Sequence, residues 1–84
     1  MGNEETPESV YEEIMSTYGN TYFEWLYDFC HTGLMTMSVN MAKAMLIFFE
    51  EEEDYDKCDI INEEVKKAEE EGSVIVHFSK RLFS

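Results

Sequence analysis

The chain has 84 residues and a mass of 9.9 kDa, a size suited to a single compact domain over residues 1–84. Nineteen acidic side chains against six basic ones give a formal net charge of −13, which excludes nucleic acid and anionic membranes as direct binding partners. Hydrophobic residues make up 44% of the chain, too many for a disordered acidic tail, so we expect it to fold.

The first predicted helix covers residues 6 to 18. Thr6 is a suitable N-terminal cap, Pro7 suits the first turn, and Gly19 suits the end of the helix. Apolar side chains recur in this segment at steps of three and four residues, which places them on one face. They are Val10, Tyr11, Ile14, Met15 and Tyr18.

A second helix is predicted from Thr21 to about His31, before Gly33. It is apolar on nearly all sides, which is typical of a helix buried in the centre of a fold. Trp25 in this helix is accordingly expected to be an anchor of the core rather than part of an interface.

The middle of the chain fits two kinds of structure. Apolar residues recur at helical spacing, and the segment from Met41 to Leu46 has a high helix propensity, so we predict a helix over residues 38 to 53. Residues 34 to 39 and 46 to 49 also fit short strands. The sequence leaves open whether residues 34 to 49 are helix, strand or both.

A fourth helix and a strand are predicted at the end of the chain. A helix capped by Asp59 is expected to end before Gly72, and the β-branched and aromatic residues from Ser73 to Phe78 favour a strand. A strand needs a partner for its backbone groups, either residues 34 to 39 or a second chain in a homodimer. We therefore predict an α+β fold, mostly helical with about four helices and a short C-terminal β element. An all-α fold is the alternative.

Charged residues are unevenly distributed along the chain. Residues 1–42 contain no Lys or Arg, whereas residues 50–71 carry twelve acidic side chains against three lysines. Solvated helices commonly place Lys four residues from Glu, which adds a few tenths of a kcal/mol per pair, and the first half of the chain has no such pair. This pattern favours a function that needs uncompensated carboxylates over a surface that is merely solvated.

Imitation of a nucleic acid is such a function. Carboxylates three or four residues apart on a helix lie about 5–6 Å apart, close to the spacing of successive phosphates along a DNA strand. A row of this kind could occupy the basic groove of a DNA-binding protein. The candidate carboxylates are Glu8, Glu12, Glu13, Glu24 and Asp28 in the first half of the chain, and Glu50, Glu53 and Asp54 in the second.

Methionine is abundant, with six residues in the chain. Met usually fills gaps in a core, and a small domain needs that burial, so core packing is the favoured interpretation. The alternative is an adaptable apolar pocket that holds a side chain of a partner, to which Met37 and Met41 would contribute.

The tripeptide Glu8-Ser9-Val10, with the short acidic and aromatic-rich chain, is similar to the uracil-DNA glycosylase inhibitors. That family combines phosphate-like acids with an apolar pocket for a leucine of the enzyme, and some members contact the DNA-binding cleft through a Glu-Ser-Ile tripeptide. The resemblance implies a phage or mobile-element inhibitor and adds Ser9 to the partner-binding residues. Anti-CRISPR and anti-restriction proteins share the composition equally well. Here the tripeptide opens a predicted helix, whereas in the family it precedes or enters a strand.

Enzymatic chemistry has little support in the sequence. There is no glycine-rich phosphate loop or nucleophile motif, and the adjacent Cys30 and His31 would point about 100° apart on a helix. The two cysteines and two histidines lack the short spacing of a zinc site. A calcium-loop template from Glu52 to Glu63 has Lys57 where the turn requires Gly. We expect no enzyme activity, no cofactor and no metal.

The expected location is the cytoplasm of a host cell. No secretory signal is evident at the N-terminus, and the apolar run from Ala44 to Phe49 is shorter than the ~20 residues that span a bilayer. Two cysteines are consistent with a reducing compartment. The function expected from the sequence is inhibition of a DNA-processing or defence enzyme by occupation of its DNA-binding groove. The alternative is an acidic helical adaptor or regulator that binds a basic protein segment.

Overall fold

Four helices and one two-stranded antiparallel sheet form the described part of the chain, which is residues 5–30, 32–33 and 35–78 of a computed structural model. This confirms the predicted α+β fold and excludes the all-α alternative. The elements in chain order are α1 (Pro7–Thr17), α2 (Thr21–Cys30), β1 (Thr36–Ser38), α3 (Val39–Glu51), α4 (Tyr55–Glu70) and β2 (Ile75–His77).

Local sequence signals set both ends of α1. The Thr6 hydroxyl accepts a hydrogen bond from the backbone N–H of Ser9 at 3.1 Å, and the Ser9 hydroxyl accepts one from the backbone N–H of Thr6 at 3.1 Å. These reciprocal bonds satisfy two amides that a helix start leaves unpaired. Gly19 follows the helix with a φ of 83°, a left-handed conformation that glycine adopts without strain. The predicted first helix is confirmed.

The central element of the fold is α3. It contacts every other helix and strand, and its small residues Ala42 and Ala44 are fully buried, which allows neighbouring elements to approach closely. The prediction that the second helix is central is therefore wrong. The predicted core position of Trp25 is also wrong, since this side chain is 56% exposed. The predicted end of α2 near His31 lies at the boundary of the described residues.

The two short strands pair with each other within one chain. The register places Thr36 opposite His77 and Met37 opposite Val76. Both residues of the latter pair are buried, so the inner face of the sheet closes one side of the core. The predicted internal pairing of residues 34 to 39 with the C-terminal strand is confirmed for its described part. Residues 46 to 49 lie in α3, so the strand alternative for them is wrong.

Helix α4 begins four residues earlier than predicted. Asp54 is its N-terminal cap without a side-chain cap hydrogen bond, and Asp59 lies inside the helix, so the predicted cap at Asp59 is wrong. Burial of Cys58 one turn into the helix favours the longer element. Because the helix begins at Tyr55, the second half of the calcium-loop template from Glu52 to Glu63 is helical and cannot wrap around an ion as a calcium loop does.

Aromatic rings from α2 and α3 fill much of the core. Phe23 stacks on Phe48 with 5.3 Å between ring centroids, and Tyr27 meets Phe49 edge-on at 5.2 Å. Met45 is fully buried in the same cluster. None of the described helices has the length and apolar character needed to cross a membrane.

Candidate interaction surface

The outward face of α1 carries three exposed carboxylates, Glu8, Glu12 and Glu13. Val10 and Ile14 point into the core, which fixes the carboxylates on the solvent side. Glu8 and Glu12 are four residues apart, which places their Cβ atoms about 5–6 Å apart. Within the described residues, none of the three carboxylates has an ion-pair partner.

The Ser9 side chain is part of the N-terminal cap of α1. Its hydroxyl accepts from the Thr6 amide and donates to the Thr6 carbonyl at 3.0 Å, so both functions of the group are used in the cap. Val10 is 9% exposed and belongs to the core. Of the tripeptide Glu8-Ser9-Val10, the Glu8 side chain is therefore the part left for a partner.

A second group of carboxylates lies where α3 meets α4. We call Glu50–Asp54 the acidic turn; Glu50 to Glu53 are exposed, and Asp54 is half-buried. These carboxylates lie at the C-terminal end of α3, which is the negative end of the helix dipole. The last turn of α3 contains no basic residue that would offset this unfavourable arrangement. Glu53 has a φ of 61°, a left-handed conformation that costs a non-glycine residue about 1–2 kcal/mol.

The acidic turn lies close to both α1 and α2. Burial and, after it, the charges of Glu51 and Glu52 raise the pKa of Tyr11 on α1. Burial and then the charge of Asp54 are the two largest causes that raise the pKa of Tyr27 on α2 to about 12. Charge patterning along the chain does not predict that these three segments meet in this way.

Asp28 belongs to the same acidic environment. It is exposed on α2, and its charge contributes to the raised pKa of Tyr27, as do those of Asp54 and Asp56. Tyr27 thus lies within electrostatic range both of Asp28 from the first half of the chain and of Asp54 in the acidic turn. Glu24 is exposed one turn earlier on α2.

The two candidate methionines have different environments. Met37 is 8% exposed on the inner face of the sheet, opposite Val76, so the core interpretation applies to it. Met41 is half-buried and packs against the core from the first turn of α3. Core packing accounts for the positions of both side chains.

The sequence does not predict a row of four aromatic rings along α2 and at the C-terminal cap of α1, of which three are exposed and Tyr22 is half-buried against the core. Tyr18 stacks on Tyr22 with centroids 4.9 Å apart, Tyr22 lies 6.0 Å from Trp25, and Trp25 lies 5.5 Å from Phe29. We call these four residues the aromatic ladder. Tyr18, Trp25 and Phe29 are 62%, 56% and 41% exposed. The spacing of four, three and four residues is visible in the sequence, where it equally fits a stripe that faces the core.

The two cysteines are poorly suited to chemistry. Both thiols are buried, and burial raises the pKa of Cys30 to about 11 and is the main cause that raises the pKa of Cys58. A raised pKa keeps a thiol protonated and weakly nucleophilic. Within the described residues, no group of three or more His, Cys, Asp or Glu side chains is arranged to hold a metal ion.

Comparison with protein-family models, curated proteins and solved structures found no match to the chain. The similarity to uracil-DNA glycosylase inhibitors therefore rests on Glu8-Ser9-Val10 and on composition. In the structure this tripeptide forms the first turn of α1. The case for a function must come from the surface itself.

Proposed function

We propose that the protein is an acidic DNA-mimic inhibitor that occupies the basic DNA-binding groove of a DNA-processing or defence enzyme. Enzymes of this class include uracil-DNA glycosylases, CRISPR effectors and restriction systems. The observation that carries the proposal is the set of exposed carboxylates on α1 and in the acidic turn. In the described part of the chain, none of these exposed carboxylates has an ion-pair partner, whereas the half-buried Asp54 of the same turn pairs with Lys57 at 3.1 Å.

The positions of the other ion pairs support this proposal. Lys43 binds Glu69 at 2.7 Å, and Lys67 binds Glu64 at 3.3 Å, so these cations serve carboxylates of α4. Among the residues that the structure describes, the carboxylates of α1 have no ion-pair partner. A target with a basic groove would supply the missing positive charge, and its lysines and arginines would steer the encounter.

The backbone of Glu53 also supports the proposal. Gly or Asn would adopt its left-handed conformation more easily than Glu does. A strained residue within a candidate binding surface is consistent with selection for the carboxylate. Glu53 would then contribute to target binding at the expense of stability.

The experiment is capture from a nuclease-treated host lysate, with and without added duplex DNA, followed by mass spectrometry. A mimic should capture a DNA-binding protein, and DNA should compete it away. The matched baits are Glu12→Lys/Glu13→Lys, which reverses two exposed charges of α1, and Glu70→Lys/Glu71→Lys at the far end of α4. Loss of capture with the first bait alone would support the proposal, whereas capture that DNA does not affect would contradict it.

A second candidate function is an acidic adaptor that binds a basic protein segment without imitating DNA. The observation that favours it is the aromatic ladder, because the phosphate backbone of duplex DNA offers no counterpart to a row of exposed rings. An adaptor would capture a protein that added duplex DNA does not displace. The same capture experiment therefore separates the two functions.

A further inference from the structure

The exposed side of α2 is divided into an aromatic part and an acidic part. The exposed Trp25 and Phe29, with the half-buried Tyr22, follow one another at steps of three and four residues and line one side. Glu24 and Asp28, four residues apart and exposed, line the adjacent side. Trp25 and Asp28 are three residues apart, so the two parts adjoin along the helix.

Large exposed rings are unusual on a small domain that is otherwise able to bury aromatic side chains. Phe23 and Tyr27 on the same helix are buried, so α2 has a regular core-facing side and the exposed rings are additional to it. Contiguous exposed apolar surface of this kind marks an interaction site. Aromatic side chains are also the residue type most enriched at the energetic centres of interfaces.

The charge of the surroundings indicates which partner fits. No Lys or Arg occurs in residues 1–42, so α2 itself carries only negative charge, and Lys57 of α4, which lies over the ring of Tyr27, is paired with Asp54. A second copy of the chain would bring another net charge of −13 to the surface, which opposes self-association. Single-stranded nucleic acid, which also stacks on aromatic rings, is opposed by the same charge.

Arginine combines the two properties that this surface selects. Its planar guanidinium group stacks on aromatic rings and forms paired hydrogen bonds with carboxylates. Lysine offers the same charge, but its compact and strongly hydrated ammonium group cannot stack. A surface with rings on one side and carboxylates on the other therefore favours arginine over lysine.

We propose that the aromatic ladder, with Glu24 and Asp28, is a docking site for an arginine-rich protein segment. This site rests on the proposed binding of a basic protein, whether a DNA-binding enzyme or a basic segment, because that partner would supply the arginines. The α1 carboxylates and the acidic turn would then provide long-range attraction, and the ladder would provide the stacking contacts that hold the complex.

The test uses two synthetic probes, oligoarginine and oligolysine peptides of equal length, titrated into the full chain. Trp25 is the only tryptophan, so its emission reports contact at the ladder directly. We expect oligoarginine to change this emission and to bind more tightly than oligolysine. Equal affinity for the two peptides would overturn the proposal.

Variants separate stacking from charge. Trp25→Ala/Phe29→Ala should weaken oligoarginine binding about tenfold and oligolysine binding by a clearly smaller factor, measured by calorimetry. Tyr55→Ala is the matched control, because Tyr55 is 61% exposed on α4 outside the ladder, and it should bind like the wild type. Circular dichroism checks that each variant folds, and Trp25→Phe provides a conservative replacement that should retain most of the arginine preference.

Other occupants of the ladder give different results. A dimer that Trp25→Ala dissociates would overturn the proposal in favour of a second copy, and binding of single-stranded DNA that Trp25→Ala abolishes would overturn it in favour of nucleic acid.

Failure of the ladder proposal and failure of the mimicry proposal give different results. If the ladder variants bind oligoarginine normally while the wild type captures a DNA-competed enzyme, the ladder proposal fails and mimicry stands. If the arginine preference holds while capture is indifferent to DNA, mimicry fails and the ladder stands.

Discussion

The ammonium group of Lys57 lies 3.1 Å from the carboxylate of Asp54. The same nitrogen lies 5.3 Å from the ring centroid of Tyr27 and 5.1 Å from that of Phe49. Lys57 thus joins the acidic turn to a ring on α2 and a ring on α3. Because it is directed into these contacts, its charge holds the turn in place while Glu50 to Glu53 remain exposed.

Replacement of Lys57 should reveal this joining role. We expect Lys57→Gln to lower the free energy of unfolding by about 1 kcal/mol, since it removes a partly exposed ion pair and two cation–π contacts. Lys66→Gln is the control, because Lys66 is exposed on α4 with no ion pair among the described residues. Urea denaturation of both variants measures the difference, and equal destabilisation would contradict the assigned role.

Relief of backbone strain at Glu53 should stabilise the protein. Glu53→Gly is expected to raise the free energy of unfolding by about 0.5–1 kcal/mol, because the left-handed conformation no longer costs energy, even though glycine gains freedom in the unfolded chain. Glu52→Gly removes the same charge at a φ of −82° and should instead destabilise. If both variants shift stability in the same direction, strain at Glu53 is not significant. Under the proposed function, Glu53→Gly should also weaken target binding.

Screening of charge repulsion should stabilise the fold. We expect the melting temperature to rise by several degrees between very low salt and about 0.15 M sodium chloride, where the Debye length is about 8 Å. Differential scanning fluorimetry measures this shift. A variant with Glu12→Lys and Glu51→Lys should show a smaller rise, because fewer like charges remain to be screened. An unchanged wild-type melting temperature would argue against uncompensated repulsion.

Alkaline pH should destabilise the protein through its buried tyrosine and thiol. The folded chain raises the pKa of Tyr27 from 10.0 to about 12 and that of Cys30 from 9.0 to about 11, so it favours their neutral forms. The contribution of these two groups to stability is therefore fully present below about pH 9. It is lost as the pH rises toward 12, because the same groups ionise at a lower pH in the unfolded chain than in the folded one. The contribution of Tyr27 to the free energy of unfolding should be at most about 3 kcal/mol. Chemical denaturation of Tyr27→Phe should show a shallower decline than the wild type, and identical slopes would contradict the assignment.

Sequence-based prediction succeeded where structure is determined locally. Thr6, Pro7 and Gly19 set the ends of α1 by capping and by backbone conformation, and these effects depend on neighbours in the chain. The need of a strand for a partner left two alternatives, residues 34 to 39 or a second chain, and the structure has the first of them. Such rules operate without knowledge of tertiary packing.

Prediction failed where tertiary packing decides. The aromatic content of α2 suggested a central helix, but buried small residues such as Ala42 and Ala44 made α3 the element that the others approach. Trp25 was assigned to the core because its residue type is usually buried, whereas only the orientation of α2 on α3 shows that it is exposed. For the same reason, the proximity of the acidic turn to Tyr11 and Tyr27 was not visible in the sequence.

Competition with DNA tests the central proposal most directly. Once a target has been captured, fluorescence anisotropy can follow labelled duplex DNA bound to it while this protein is added. The proposal predicts full displacement of the DNA at stoichiometric protein, and loss of that displacement with Glu12→Lys/Glu13→Lys. A complex that contains the target, the DNA and this protein together would contradict it.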